Sequence, residues 1–164
     1  MKGLKKFFAL IGRLFISVIF IMSAVNKIFQ WQKTETGLIN LFCDWQGWTA
    51  NFAMFNKVFS NLINYVPEIL IIITIFELVG SILLFFGIKE KFGALLIILF
   101  FVPATFFLHP FWFLQGSKRS FEMVMFLKNI AILGGLLLFL VFGSKIKEDV
   151  VISSDMPKPE DMDE

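Results

Sequence analysis

The chain has 164 residues, of which 57% are hydrophobic, 17% are aromatic and only 17% are charged. A soluble domain carries roughly 45–50% apolar and about 25% charged residues, and a small domain cannot bury this much apolar surface by itself. The composition therefore excludes a soluble globular domain, a disordered chain and a disulfide scaffold. It predicts one all-α integral membrane domain, and the net charge of +2 offers no basic field for nucleic acid.

Four apolar runs are long enough to cross a bilayer, which takes about 20 residues of helix. The predicted spans cover residues 7–29, 66–88, 92–114 and 123–142. Pro67 suits the first turn of the second span, and Pro103 is expected to kink the third. The first run is longer than the apolar region of a signal peptide and no A-x-A site follows it, so we expect an uncleaved helix. Together the spans predict an up-down four-helix bundle over residues 1–147.

Lysines predict the orientation of the spans. They cluster before span one, between spans two and three, and after span four, at Lys2, Lys5, Lys6, Lys89, Lys91, Lys145 and Lys147. With four spans these places share one side, which the positive-inside rule assigns to the cytoplasm. Both termini are then cytoplasmic, and residues 148–164 form an acidic, solvated tail.

The first outer loop, residues 30–65, carries Trp31, Trp45 and Trp48. Between Ala50 and Tyr65 apolar residues recur at spacings of three and four, which is typical of a helix. This pattern predicts an amphipathic helix at the outer membrane interface. A lid over a cavity between the spans is a compatible alternative.

Ionisable residues inside hydrocarbon are costly and usually face the bundle. Arg13 and Lys27 lie on one stripe of span one with Ser17 and Ala24, and that stripe is expected to face inward. Glu77 lies near the middle of span two. The depths of these positions make Arg13 the predicted partner of Glu77, with Lys128 as the second candidate.

A second polar cluster is predicted toward the outer surface. Its members are Lys27, His109, Lys128 and Asn129, with Glu122 as a further candidate. Simpler roles stay open for individual members: Arg13 can reach cytoplasmic headgroups, Lys27 can anchor at the interface, and His109 can form a hydrogen bond at a helix end.

Catalytic motifs are absent from the sequence: there is no Walker loop, GxSxG or HExxH. One cysteine and one histidine cannot form a disulfide, a histidine-based metal site or a pair of haem ligands. The candidate cofactor is a quinone in an apolar slot, with His109 or Lys128 as polar donor. Neither a metal nor a haem is expected.

Four segments together resemble the DoxX family. They are Arg13–Lys27 (RLF through SAVNK), Glu77–Ser81 (ELVGS), His109–Trp112 (HPFW) and Lys128–Leu137 (KNIAILGGLL). The resemblance implies a four-helix protein of the bacterial inner membrane, related to the membrane subunit of a thiosulfate:quinone oxidoreductase. It carries the family motif onto Arg13, Lys27, Glu77, His109, Lys128 and Asn129. The long, Trp-rich first loop departs from the compact loop expected of the family.

Three functional hypotheses follow. The first is an accessory or membrane-anchor subunit of a quinone-linked redox complex, with a redox protein as partner. The second is a membrane binding or assembly protein for lipids or exported proteins that uses the first outer loop. The third is a proton-coupled carrier that uses Glu77, although no span is broken by Gly and Pro at its middle. The sequence does not decide whether the chain is itself an enzyme or forms a homo-oligomer.

Overall fold

The protein is all-α in the computed structural model, which describes the backbone of residues 2–143 and the side chains of residues 4 and 7–143. Its helices, in chain order, are α1 (Lys2–Phe29), α2 (Trp31–Trp48), α3 (Ala53–Asn64), α4 (Val66–Phe86), α5 (Glu90–Leu108), a short 3-10 helix (Phe111–Phe113) and α6 (Gly116–Phe142). The acidic tail predicted for residues 148–164 lies outside the described residues.

Four segments are long and apolar enough to cross a membrane: Phe7–Phe29, Val66–Phe86, Glu90–Phe113 and Gly116–Phe142. The prediction of four helices long and apolar enough to span a membrane is confirmed. The last helix begins earlier than the predicted span, because a helix continues through polar residues such as Lys118 that satisfy no apolar pattern. Hydropathy marks only the apolar part of a helix, while backbone hydrogen bonds fix its full length.

The turn between α4 and α5 is only three residues long. Gly87 has a φ of 66°, a left-handed conformation that glycine adopts without steric cost. The backbone N–H of Ile88 donates to the carbonyl of Leu83 (2.9 Å), and that of Gly87 to the carbonyl of Leu84 (3.0 Å). These two bonds form a Schellman motif, which ends α4 and returns the chain along it as α5.

One apolar cluster takes side chains from all four spans. Its buried members are Phe20, Leu84, Ala94, Ile97, Phe100, Phe101 and Leu136. The ring of Phe20 meets those of Phe100 and Phe101 edge to face, with centroids 6.0 and 5.0 Å apart. This arrangement suits the aromatic quadrupole and holds α1 against α5.

The predicted inward stripe of α1 is confirmed, since Ser17 and Ala24 are fully buried. On α4, Glu77 and Ser81 are buried in the same way. The hydroxyl of Ser17 donates to the carbonyl of Arg13 (2.7 Å), so this small polar group needs no partner outside its own helix. Small and self-satisfied residues allow the helices to approach closely.

The segment between α1 and α4 contains two helices rather than the single helix predicted there. α3 lies inside the predicted range, whereas α2 lies in the first part of the loop, for which no helix was predicted. Phe42 and Trp45 of α2, Phe59 of α3 and Val66 at the start of α4 form a small second core. The indole N–H of Trp45 donates to the carbonyl of Phe107 (2.9 Å). This carbonyl lies in the last turn of α5, where the helix itself supplies no partner, so α2 is fastened to the end of α5.

Much of the remaining apolar surface is exposed. Phe15 and Met22 on α1, for example, present 70% and 63% of their surface. Apolar side chains this exposed on helices long enough to cross a membrane are suited to contact with lipid tails.

Candidate functional site

Glu77 lies between α1 and α4 and is buried. Its Oε2 accepts a hydrogen bond from Lys27 Nζ at 2.6 Å, an ion pair in which Lys27 is 22% exposed and Glu77 only 2%. Lys27 Nζ also donates to the hydroxyl of Ser23 at 2.8 Å. The predicted Arg13–Glu77 pair is therefore corrected, because Lys27 is the residue that meets Glu77.

Arg13 instead pairs with Glu90 at the start of α5. Its Nη1 donates to Glu90 Oε1 at 2.7 Å. The guanidinium also lies against Gly87, where a Cβ would overlap it. The second oxygen of Glu90 lies beside Gly143, at the end of α6. One ion pair thus joins α1, the α4–α5 turn and the end of α6.

The direction of side chains on a helix explains both pairings. Cα–Cβ bonds tilt toward the helix N-terminus, so Lys27 reaches back past Ser23 to Glu77. In the same way Arg13 reaches back to Glu90. The prediction compared backbone depths and left out this displacement of about one turn. It therefore paired Arg13 with Glu77, which lies farther from the α4–α5 turn than the observed partner Glu90.

His109 ends α5 and pairs with Glu122 of α6. The two atoms, His109 Nδ1 and Glu122 Oε2, are 2.7 Å apart, and the two side chains are 20% and 25% exposed. An ionised carboxylate only accepts, so Nδ1 is the donor. The other ring nitrogen, Nε2, has no hydrogen-bond partner among residues 4 and 7–143.

A second polar contact lies along the same seam between α5 and α6. Asn129 Nδ2 lies 3.3 Å from the hydroxyl of Thr105. Thr105 is one turn before His109, and Asn129 is two turns after Glu122. The seam therefore carries a His–Glu contact at the C-terminal end of α5 and an Asn–Thr contact about one turn of α5 before it.

The predicted outward cluster is only partly assembled. His109 and Asn129 share the α5–α6 seam, whereas Lys27 belongs to the Glu77 pair. Lys128 is exposed, and its Nζ has only the sulfur of Met125 as an acceptor, at 3.3 Å. The structure thus separates the two lysines from the histidine.

Aromatic rings cluster at the C-terminal end of α5 and on the following 3-10 helix, within four residues of His109 in the chain. The ring centroids of Phe106 and Trp112 lie 4.9 Å apart, and those of Phe111 and Phe126 lie 5.4 Å apart. On the side facing the α2–α3 pair, Trp48 stacks on Phe113 at 5.1 Å. The C-terminal end of α5 is therefore rich in aromatic rings and also carries the His109–Glu122 pair.

Sequence reasoning missed two residues that hold helices together, Glu90 at the start of α5 and Trp45 of α2. Glu90 stands between Lys89 and Lys91 in a turn that is predicted to be cytoplasmic, where a carboxylate is common and indicates no special role. The depth of Arg13, less than three turns above that turn, was the available signal. Trp45 was assigned to a loop, and its only clue was a pattern of Leu38, Phe42 and Trp45 at helical spacing.

Within the described residues there is no group of three or more His, Cys, Asp or Glu side chains that could hold a metal ion. The groups available for chemistry are two ion pairs with buried carboxylates, Lys27–Glu77 and Arg13–Glu90, and the His109–Glu122 pair, in which both side chains are partly exposed. The latter alone has an open nitrogen that can donate or accept a proton.

Comparison with known proteins identifies the family to which the chain belongs. The DoxX family model matches residues 8–110, a segment that includes Arg13, Lys27, Glu77 and His109. The fourth resembling segment, which begins at Lys128, lies beyond the match. No curated protein and no solved structure gives a significant match. Because the family match covers more than half of the chain, the protein belongs to the DoxX family of membrane proteins.

Proposed function

We propose that this protein is an accessory, membrane-anchoring subunit of a quinone-linked redox complex in a bacterial inner membrane. The observation that carries the proposal is the His109–Glu122 pair, 2.7 Å long and partly exposed, at the aromatic outer end of α5. Membership of the DoxX family supports it, because the family resemblance implies a relation to the membrane subunit of a thiosulfate:quinone oxidoreductase. Redox centres would reside in a partner protein.

The residues around this pair fit a quinone. A quinone ring needs flat apolar contacts and a hydrogen-bond donor for a carbonyl oxygen. Phe111, Trp112 and Phe126 provide rings whose centroids lie within 6.1 Å of one another. His109 Nε2 provides the donor when the imidazole is protonated.

A quinone held there would supply two-electron chemistry that consumes or releases protons. Glu122 fixes the orientation of the imidazole through the contact at Nδ1. His109 can then give a proton from Nε2 and regain one from the outer aqueous side. Thr105 and Asn129 hold α5 and α6 in register behind the pair.

The orientation is part of the proposal. We place the α4–α5 turn, with Lys89 and Lys91, in the cytoplasm together with both termini, and let the four spans run up and down as a bundle. α3 then lies at the outer interface, which its exposed apolar residues Met54, Phe55 and Val58 favour.

Thiol labelling tests this orientation. Cys43 is the single cysteine of the chain and is exposed on α2. A membrane-impermeant maleimide should label it in intact cells whose outer barrier is opened. A Lys89→Cys variant on a Cys43→Ser background should react only after the inner membrane is permeabilised. The reverse pattern would overturn the orientation.

Quinone content tests the function. We would extract the protein gently into lipid nanodiscs and quantify ubiquinone and menaquinone by liquid chromatography with mass spectrometry. The wild type should hold about one quinone per chain, and His109→Ala and Glu122→Gln should lose most of it. Lys118→Ala, an exposed change on the same helix, is the control. Phospholipid alone, or equal quinone in all variants, would contradict the proposal.

A binding or assembly role is the second candidate function. It is favoured by α2, whose exposed side chains are mostly small or polar: Gln32, Lys33, Thr36, Asn40, Cys43 and Asp44. A photocrosslinker on Cys43 should then join an exported protein in stoichiometric yield, and Thr36→Arg with Asn40→Arg should abolish the product. A product that survives both changes would dismiss α2 as the recognition surface.

A further inference from the structure

Lys128 has no charged partner among the residues that the structure describes. It lies close to the middle of α6, 12 residues from Gly116 and 14 from Phe142. Its side chain is exposed and meets only the sulfur of Met125, at 3.3 Å. A thioether is a weak acceptor, so it does not compensate an ammonium group in hydrocarbon.

Three ion pairs join six other ionisable side chains of the four spans. Lys27 meets Glu77, Arg13 meets Glu90, and His109 meets Glu122, at 2.6 to 2.7 Å. In the described part of the four spans the remaining carboxylate is Glu68, in the first turn of α4. Glu68 lies at the outer edge, where the positive end of the helix dipole already favours it. Lys128 is thus left without a carboxylate at its own depth.

The helix that carries Lys128 is also the least covered. Only 6% of its apolar window is buried, against 33% in α4 and α5. Adjacent glycines show the contrast: a Cβ on Gly135 would lie 2.8 Å from Ile16 of α1, whereas a Cβ on Gly134 would meet nothing within 4 Å. Gly135 serves a close contact inside the molecule, and Gly134 faces away from it.

Five exposed residues form one face of α6, which we term the Lys128 face: Leu127, Lys128, Ala131, Gly134 and Leu138. At 100° per residue they lie within an arc of about 120°. Contact with lipid tails does not require small residues, whereas helices in membranes pack against each other through small residues and polar contacts. The face therefore combines a close-packing surface with an uncompensated positive charge.

We propose that the Lys128 face docks a transmembrane helix of a different membrane protein, one that carries a carboxylate at the depth of Lys128. Charge complementarity selects the occupant, because an Asp or Glu would neutralise Lys128 and be neutralised by it. The proposal goes beyond the quinone site and does not depend on it.

A second copy of this chain fits the face less well. In a symmetric contact through α6, Lys128 of one copy would lie near Lys128 of the other, and like charges repel. Lipid is the other competitor, since a lysine stem can carry its ammonium toward phosphate headgroups. Headgroup binding leaves Ala131 and Gly134 without a role, so the observations favour a helix.

A synthetic helix is the probe for this contact. The full-length protein, labelled with an acceptor dye on Cys43, is placed in phosphatidylcholine vesicles. Donor-labelled Leu/Ala-rich transmembrane peptides carry one central Asp or, as a control, one central Asn. Energy transfer against peptide density measures binding to the wild type, to Lys128→Leu and Lys128→Arg, and to Lys118→Leu as the matched control.

The wild type should bind the Asp peptide about tenfold more tightly than the Asn peptide, the effect expected of one polar helix contact in a membrane. Lys128→Leu should abolish this preference, whereas Lys128→Arg and Lys118→Leu keep it. Gly134→Leu should weaken both peptides. Equal binding of the two peptides, or a preference that survives Lys128→Leu, overturns the proposal. Two further results would overturn it. The first is energy transfer between labelled copies of the protein that is lost in Lys128→Leu, which would make a second copy the occupant. The second is an effect of Lys128 seen only in vesicles that contain anionic lipid, which would make lipid headgroups the occupant.

Discussion

Gly80 of α4 and Gly93 of α5 bring the backbones of the two helices into contact. A Cβ built on Gly80 would lie 2.8 Å from the carbonyl oxygen of Gly93, and a Cβ on Gly93 would lie 2.8 Å from that of Gly80. Both positions are buried. The three-residue turn that follows α4 sets the helices antiparallel, and this glycine pair sets how closely they pack.

Gly80→Ala should therefore destabilise the protein, by about 1–3 kcal/mol, because backbone atoms cannot move aside as a side chain can. Gly12→Ala is the matched control: its Cβ would meet nothing within 4 Å, and alanine favours a helix over glycine by about 1 kcal/mol. Unfolding in mixed micelles by denaturing detergent measures both. A Gly80→Ala variant as stable as Gly12→Ala would dismiss the close contact.

Gly87 has a left-handed backbone conformation and lies directly against the guanidinium of Arg13. Gly87→Ala should cost more than Gly116→Ala, although both positions have φ above 60°. A side chain in that conformation costs about 1–2 kcal/mol at either place, but only at Gly87 would the Cβ overlap Arg13. The difference between the two variants in thermal unfolding reports the overlap. Adding Arg13→Ala to each should shrink that difference, and a difference that stays unchanged would remove Arg13 as its cause.

The four long apolar helices and the inward stripe of α1 could be predicted from the sequence, because apolar length and helical periodicity are local properties. The partners of Arg13 and Lys27 could not. Their choice depends on which way a long side chain leans along its helix and on how the α4–α5 turn places Glu90. α2 was missed although Leu38, Phe42 and Trp45 lie at helical spacing, because the rings of Phe107 and Phe113, which cover Trp45, come from a distant part of the chain.

Trp45 fastens the α2–α3 pair to α5 through one hydrogen bond and several ring contacts. Trp45→Phe keeps an aromatic ring but loses the N–H that meets the carbonyl of Phe107, so it should open the pair locally at a cost of about 1–3 kcal/mol. Hydrogen exchange of residues 31–64, followed by mass spectrometry, should rise while exchange in α4 stays constant. Trp48→Phe is the control, since Trp48 stacks on Phe113 without an indole hydrogen bond among the described residues. Equal exchange in the two variants would assign the effect to ring size.

The last prediction concerns the two ion pairs of α1, Lys27–Glu77 and Arg13–Glu90. Glu77→Ala should destabilise the protein strongly, by about 3–5 kcal/mol, because it strands Lys27 in a mostly buried position. Lys27→Met combined with Glu77→Ala should recover part of this loss, since both charges are then gone. Arg13 and Lys27 are about 21 Å apart along α1, so Arg13→Ala and Glu77→Ala should add to within about 0.5 kcal/mol. A double-mutant cycle by detergent unfolding separates the pairings: coupling between Arg13 and Glu77, with none between Lys27 and Glu77, would restore the pairing that depth alone suggested.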